Sequence, residues 1–121
     1  MKNPREIIYD RFITPFADKK IGNIGVELEF PLINTNGGDI DTEFVASIMD
    51  FIGEKGFSCV LFGVNGEKLF MENELGDTLS FDNSYNNFEF SMMYGDNLLE
   101  IKKRFDSYYE MVQEYLSRKN H

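Results

Sequence analysis

The amino-acid sequence predicts an α+β fold in which helices pack on one face of a mostly antiparallel sheet. Apolar residues recur at helical spacing near the start, in the middle and at the end of the chain. Between these segments lie short runs in which apolar and polar residues alternate, which is typical of half-buried strands. The resulting order of elements, α-β-α-β-β-β-β-α, favours an α+β domain with a mostly antiparallel sheet.

Length and composition indicate one packed domain over residues 1–121, because 42% of the residues are hydrophobic and twelve are Phe. The formal net charge of −9 argues against a nucleic-acid partner, which requires a basic surface. Cys59 is the only cysteine. No intrachain disulfide can therefore form, and we expect a buried packing residue in a reducing, cytoplasmic setting. No apolar stretch reaches the roughly 20 residues of a membrane span, so no membrane partner is expected.

Two helices are predicted before the main run of strands. The first begins with Asn3 as the N-cap, Pro4 at the first helical position and Glu6 three residues after the cap, and Pro15 ends it. Its apolar stripe consists of Ile7, Ile8, Phe12 and Phe16. The second helix runs from Asp41, its cap, to about residue 55, and glycine at position 56 stops it. Its stripe consists of Phe44, Val45, Ile48, Phe51 and Ile52.

Four short strands follow, at residues 57–62, 67–72, 76–81 and 87–93. The first of them is apolar on both faces, which predicts a central strand. Asn65 and Gly66 predict a tight hairpin turn into the next strand. Asp96 is the predicted cap of a long last helix, and the polar residues 117–121 are expected to fray.

The most informative residues are Glu27 and Glu29, which lie in the alternating run at residues 24–31. In a strand, side chains two apart stand on the same face, roughly 6.5–7 Å apart along it. The two carboxylates therefore project together and repel each other. A divalent cation removes this repulsion, and carboxylate oxygens suit Mg²⁺ or Mn²⁺. The alternative is the solvated face of a half-buried antiparallel sheet, which also alternates apolar and polar residues.

A second alternating run, at residues 87–92, places Glu89 and Ser91 opposite Phe88 and Phe90. If this strand lies in the same sheet as the first, the carboxylates of Glu27, Glu29 and Glu89 converge on one polar face. This convergence is a hypothesis, because a sequence alone does not fix strand order.

The two runs resemble the start of the glutamate–cysteine ligases, within the carboxylate–amine ligases that share the glutamine-synthetase type of catalytic sheet. In that family a G-x-E-x-E-F/W strand opens the catalytic domain, and a later strand reads roughly E-P-G-G-Q-x-E-L-S. Residues 25–30 match the first motif, and residues 88–91 match the end of the second. Asp82 takes the approximate place of the first glutamate of the second motif, seven residues before Glu89 rather than six. Residues 83–86 replace its Pro-Gly-Gly turn.

The resemblance implies that Glu27, Glu29 and Glu89 hold Mg²⁺ or Mn²⁺ ions that bridge the phosphates of ATP. ATP would phosphorylate the γ-carboxylate of glutamate, and the amine of cysteine would attack the acyl phosphate. The product, γ-glutamylcysteine, belongs to glutathione biosynthesis.

The family's enzymes are several times longer than this chain, and the resemblance covers roughly residues 20–105. We therefore expect an N-terminal portion of a ligase catalytic domain that is inactive alone. Such a portion would expose a sheet edge or an apolar face through which a homodimer can form. The alternative is a small acidic α+β interaction domain without catalysis, in which the glutamates only solubilise one face of the sheet.

Overall fold

An antiparallel sheet of five strands, with helices packed on one face, forms the body of the computed structural model, which describes residues 3–16 and 22–121. The α+β fold class is therefore as predicted. The helices are α1 (Pro4–Phe12), α2 (Thr42–Ala46), α3 (Ile48–Glu54) and α4 (Leu98–Leu116). The strands are β1 (Ile24–Pro31), β2 (Ser58–Phe62), β3 (Lys68–Glu72), β4 (Thr78–Phe81) and β5 (Asn87–Gly95). No helix in these two ranges combines the length and the apolar character that crossing a membrane requires.

The strand order is β1-β5-β4-β3-β2, so the first strand of the chain lies beside the last. The strands β2 to β5 follow one another across the sheet as a meander of antiparallel neighbours. The predicted turn at Asn65 and Gly66 connects β2 and β3, and Gly66 has φ +85°, a conformation that glycine adopts without steric cost. The position of β1 next to β5 is the feature that creates the candidate site described below.

The prediction that residues 57–62 form a central strand was wrong, because β2 is an edge strand. Its residues Val60, Leu61 and Phe62 are each more than half exposed. A short apolar run does not distinguish a strand buried on both faces from an edge strand that carries apolar residues on its open face. Cys59 is partly buried and packs against the core, which agrees with its predicted role in packing.

The core lies between the sheet and the helices α3 and α4, and aromatic side chains from β5 stand at its centre. Phe90 is 1% exposed, and its ring lies 5.7 Å from that of Phe30, 5.3 Å from that of Phe88 and 5.4 Å from that of Phe105. All three contacts are edge-to-face, the geometry that the aromatic quadrupole favours. These contacts fix α4 on β1 and β5 from one side and leave the opposite face of both strands open.

The predicted second helix is divided into α2 and α3 at Ser47. The Ser47 hydroxyl lies 2.6 Å from the carbonyl oxygen of Phe44 and 2.6 Å from the hydroxyl of Tyr115. A serine hydroxyl that bonds to a preceding carbonyl competes with the helical ladder, which explains the break. The predicted ends are confirmed: Asp41 accepts a hydrogen bond from the N–H of Phe44 at 2.9 Å, and Gly56 has φ +95°.

The cap of α4 is Asn97, and the prediction of Asp96 was wrong by one residue. The side chain of Asn97 accepts a hydrogen bond from the N–H of Leu99 at 3.0 Å. Asp and Asn are equally good caps, so adjacent candidates are not separated by sequence. In α1 the predicted capping box of Asn3 and Glu6 is present, but three of the four apolar side chains predicted to form its stripe are exposed, and the burial of the fourth, Phe16, lies outside what the structure describes. These exposed side chains are Ile7, Ile8 and Phe12.

A buried ion pair ties α4 to the strands. Asp77 is fully buried, just before β4, and its carboxylate accepts hydrogen bonds from Arg104 Nε at 2.8 Å and from the Tyr108 hydroxyl at 2.9 Å. The N–H of Met93 in β5 donates to the same carboxylate at 2.8 Å. Burial and the bond to Asp77 raise the pKa of Tyr108 to about 12.

Candidate metal centre

The pairing of β1 with β5 sets the glutamates on one face of the sheet. Glu29 stands directly opposite Glu89, and Glu27 stands directly opposite Ser91. Because side chains alternate along a strand, these residues lie on the face opposite Phe90 and the helices. The three sequence-predicted glutamates are thus brought together on one face, whereas metal binding by them stays a prediction.

A fourth carboxylate joins this face from the connection between β4 and β5. Carboxylate oxygens of Glu29, Asp82 and Glu89 all lie within 4.8 Å of one another. Asp82 follows the end of β4, and its N–H donates to the carbonyl oxygen of Asn87 at 3.0 Å. The next residue, Asn83, has φ +58°. The connection therefore contains a left-handed residue, and it brings the carboxylate of Asp82 close to that of Glu89.

Two polar side chains of β5 hold the carboxylates of β1. The Asn87 amide donates to Glu29 Oε2 at 3.0 Å, and the Ser91 hydroxyl donates to Glu27 Oε1 at 3.2 Å. The alternation at residues 87–91 places both donors on the face of Glu89, but only the register of β1 against β5 reveals what they contact. Glu27 is not part of the close group formed by Glu29, Asp82 and Glu89, and it lies two residues before Glu29 on the same face of β1.

The surroundings of Glu89 disfavour its ionised form. Burial raises the pKa of Glu89, and the negative charges of Glu27, Asp82 and Glu29 raise it further. Within residues 3–16 and 22–121, none of these four carboxylates forms an ion pair with Lys or Arg. A proton on Glu89, or a cation beside it, would therefore relieve the repulsion that raises its pKa.

We predict that replacing Glu89 with glutamine raises the free energy of unfolding at pH 7.5, without divalent cations, by about 0.5 kcal/mol. A carboxyl whose pKa is raised in the folded state destabilises that state when ionised, so stability falls as the pH rises through its pKa. The gain from Glu89→Gln should therefore shrink toward pH 4, where the carboxyl of the parent chain becomes neutral.

Urea unfolding at both pH values measures this difference, with Glu110→Gln, on the exposed surface of α4, as the control for charge removal. A Glu89→Gln variant that is less stable than the parent at pH 7.5, or that keeps the same gain at pH 4, would contradict the electrostatic account.

The chemistry available at this face is that of hard oxygen ligands. Carboxylates supply the ligands that Mg²⁺ and Mn²⁺ prefer, and Mg²⁺ in proteins is commonly bound by one or two carboxylates together with phosphate oxygens. The two side chains that bond to the carboxylates of β1, Asn87 and Ser91, are neutral hydrogen-bond donors. Such a set of oxygen donors is suited to a hard divalent cation.

Comparison of the chain with models of protein families, with curated protein sequences and with solved structures gave no match.

Proposed function

We propose that the acidic face of β1 and β5 binds Mg²⁺ or Mn²⁺ and is the metal-holding part of an ATP-dependent carboxylate–amine ligase, with glutamate–cysteine ligase as the leading assignment. The observation that carries the proposal is the direct pairing of Glu29 with Glu89, with the Asp82 carboxylate close to both. The two sequence runs that resemble the ligase motifs are the two strands that pair here.

In this proposal Glu27, Glu29 and Glu89 hold the cation, and Asp82 adds a fourth carboxylate. The metal would neutralise the charge of the ATP phosphates during formation of an acyl phosphate. The chain's own contribution is orientation: Asn87 fixes the carboxylate of Glu29 by a hydrogen bond, and β1 and β5 hold the ligands on a rigid sheet. The proposed substrates of the complete enzyme are glutamate, cysteine and ATP, and its proposed compartment is the cytoplasm.

The second candidate is an acidic interaction domain without catalysis, and the exposed edge strand β2 favours it. Its outer edge is unpaired among the described residues, and Val60, Leu61 and Phe62 are each more than half exposed. Such an edge can pair with another strand, including that of a second copy in a homodimer. In this case the glutamates serve only to keep one face of the sheet solvated.

Calorimetric titration with Mn²⁺ and Mg²⁺ separates the two candidates, using the parent chain and the double variant Glu27→Gln with Glu29→Gln. If the glutamates are ligands, the double variant should bind Mn²⁺ at least about tenfold more weakly, because two of the oxygen donors are lost. The matched control, Glu74→Gln with Glu110→Gln, removes the same charge from exposed positions elsewhere and should bind like the parent.

Equal weakening in the two double variants would show that only net charge matters, which would overturn the proposed site. The absence of binding by the parent chain at millimolar Mn²⁺ would favour the interaction domain instead.

A further inference from the structure

The last residues of the chain are fastened to the loop that follows β1, although the sequence predicted that residues 117–121 fray. The carbonyl oxygen of Asn120 accepts hydrogen bonds from the N–H of Thr35 at 2.7 Å and from its hydroxyl at 2.9 Å. Lys119 Nζ lies 3.1 Å from a carboxylate oxygen of Asp41, at the start of α2. The bonded residues lie about 80 positions apart in the sequence, so no local sequence pattern predicts this contact.

His121 completes the attachment, and its two ring nitrogens have different roles. The N–H of Asp41 donates to His121 Nε2 at 3.1 Å, so Nε2 is an acceptor and carries no proton. Nδ1 lies 2.8 Å from the carbonyl oxygen of Lys119, which can only accept, so Nδ1 is the protonated nitrogen. The ring also packs against that of Phe44, with 5.5 Å between centroids. Only the neutral tautomer with the proton on Nδ1 satisfies both hydrogen bonds.

A second proton on His121 removes one of these bonds. An imidazolium carries N–H groups on both nitrogens, so Nε2–H would point at the N–H of Asp41, donor against donor. Histidine is the side chain that ordinarily takes up this proton between pH 5 and 8.

Charged groups near the ring do not replace the lost acceptor. Those in contact with the attachment, among the described residues, are the Asp41 carboxylate from α2 and the Lys119 ammonium from the chain's own last turn. The carboxylate attracts an imidazolium, but its oxygens already accept from the N–H of Phe44 and from Lys119. These same two hydrogen bonds lower the pKa of Asp41, so this carboxylate stays ionised between pH 5 and 8.

We propose that His121 is a proton-sensitive latch, which in its neutral form holds residues 35–41 against the end of the chain and releases them when it is protonated. These residues lie in the loop that follows β1, which forms the wall of a surface groove that Asn86 also lines. The part of this wall that the loop supplies includes Asn34, Asp39 and Ile40. Release of the latch loosens this wall at acidic pH while the sheet stays folded.

Nuclear magnetic resonance of the intact chain tests the latch, because His121 is the only histidine and its ring signals need no separation from others. At pH 8, ¹⁵N shifts of the ring should show the proton on Nδ1. Between pH 8 and 5.5, amide exchange of Asp41 and Thr35, corrected for intrinsic rates, should accelerate about fivefold, since a hydrogen bond is lost. The amide of Phe90, in the centre of the sheet, should keep its protection over the same range.

The variant His121→Gln separates the latch from other effects of pH, because glutamine is neutral throughout this range and can still accept a hydrogen bond. In this variant the exchange rate of the Asp41 amide, corrected for the intrinsic rate, should be the same at pH 8 and pH 5.5. A proton on Nε2 at pH 8 would overturn the proposal. So would protection of Asp41 that is unchanged while the ring titrates, or the same acceleration in His121→Gln.

Discussion

Replacing Asp77 with alanine is expected to lower the free energy of unfolding by about 3 kcal/mol, because it leaves a charged partner without its counter-ion. Asp77 is fully buried, whereas the side chain of Arg104 is 27% exposed, which places the effect at the lower end for a broken buried pair. Two further donors, the N–H of Met93 and the hydroxyl of Tyr108, lose their acceptor at the same time. The contact between α4 and β5 should therefore weaken as a whole.

Urea unfolding followed by circular dichroism measures this loss, and Asp106→Ala supplies the control. Asp106 forms an exposed ion pair with Lys102 one turn away on α4, and such pairs contribute less than about 1 kcal/mol. A spectroscopic titration gives a second readout, because the pKa of Tyr108, about 12 in the parent, should fall once Asp77 is absent. A variant Asp77→Ala as stable as Asp106→Ala would contradict the role assigned to this network.

Replacing Phe90 with alanine is expected to cost about 3–5 kcal/mol, the range for large aromatic side chains removed from a core. Phe90 is 1% exposed and contacts aromatic rings from β1, β5 and α4, so the cavity would open where three elements meet. The matched control is Phe62→Ala on the edge strand β2, where the residue is 56% exposed and little area is lost from the core.

Chemical denaturation of both variants tests this difference. Since small domains are stable by only about 5–15 kcal/mol, Phe90→Ala should be partly unfolded at a denaturant concentration at which Phe62→Ala is still native. Equal losses in the two variants would mean that the core is not organised around β5.

The local elements of the fold follow from local chemistry, which is why much of it was predicted from sequence. The alternation at residues 24–31 and 87–92 identifies two strands and states which side chains share a face. Caps such as Asp41 and turn glycines such as Gly66 act within a few residues of themselves, so they too are visible in the sequence. The edge position of β2 was not predicted because it depends on the pairing of β1, which lies beside β5 and not beside β2.

The candidate site was predictable only in part, for the same reason. The spacing of Glu27 and Glu29 indicates that their side chains share one face of a strand. Their approach to Glu89 requires two strands about 60 residues apart to pair in one register. The carboxylate of Asp82 lies close to those of Glu29 and Glu89 because of the turn that begins at Asn83, and the conformation of this turn was not predicted from the sequence. The buried Asp77 gave no signal at all, since its partner Arg104 lies 27 residues away on another element.

The measurement that tests the central claim most directly is paramagnetic line broadening by Mn²⁺, recorded residue by residue in the intact chain. A cation held by the acidic face should broaden the amide signals of Glu29, Asp82 and Glu89 first, at Mn²⁺ concentrations well below that of the protein. Glu110 and Glu114, exposed on α4, should keep sharp signals under the same conditions. Broadening that is uniform over the acidic surface, or that is centred on α4, would contradict a metal site between β1 and β5.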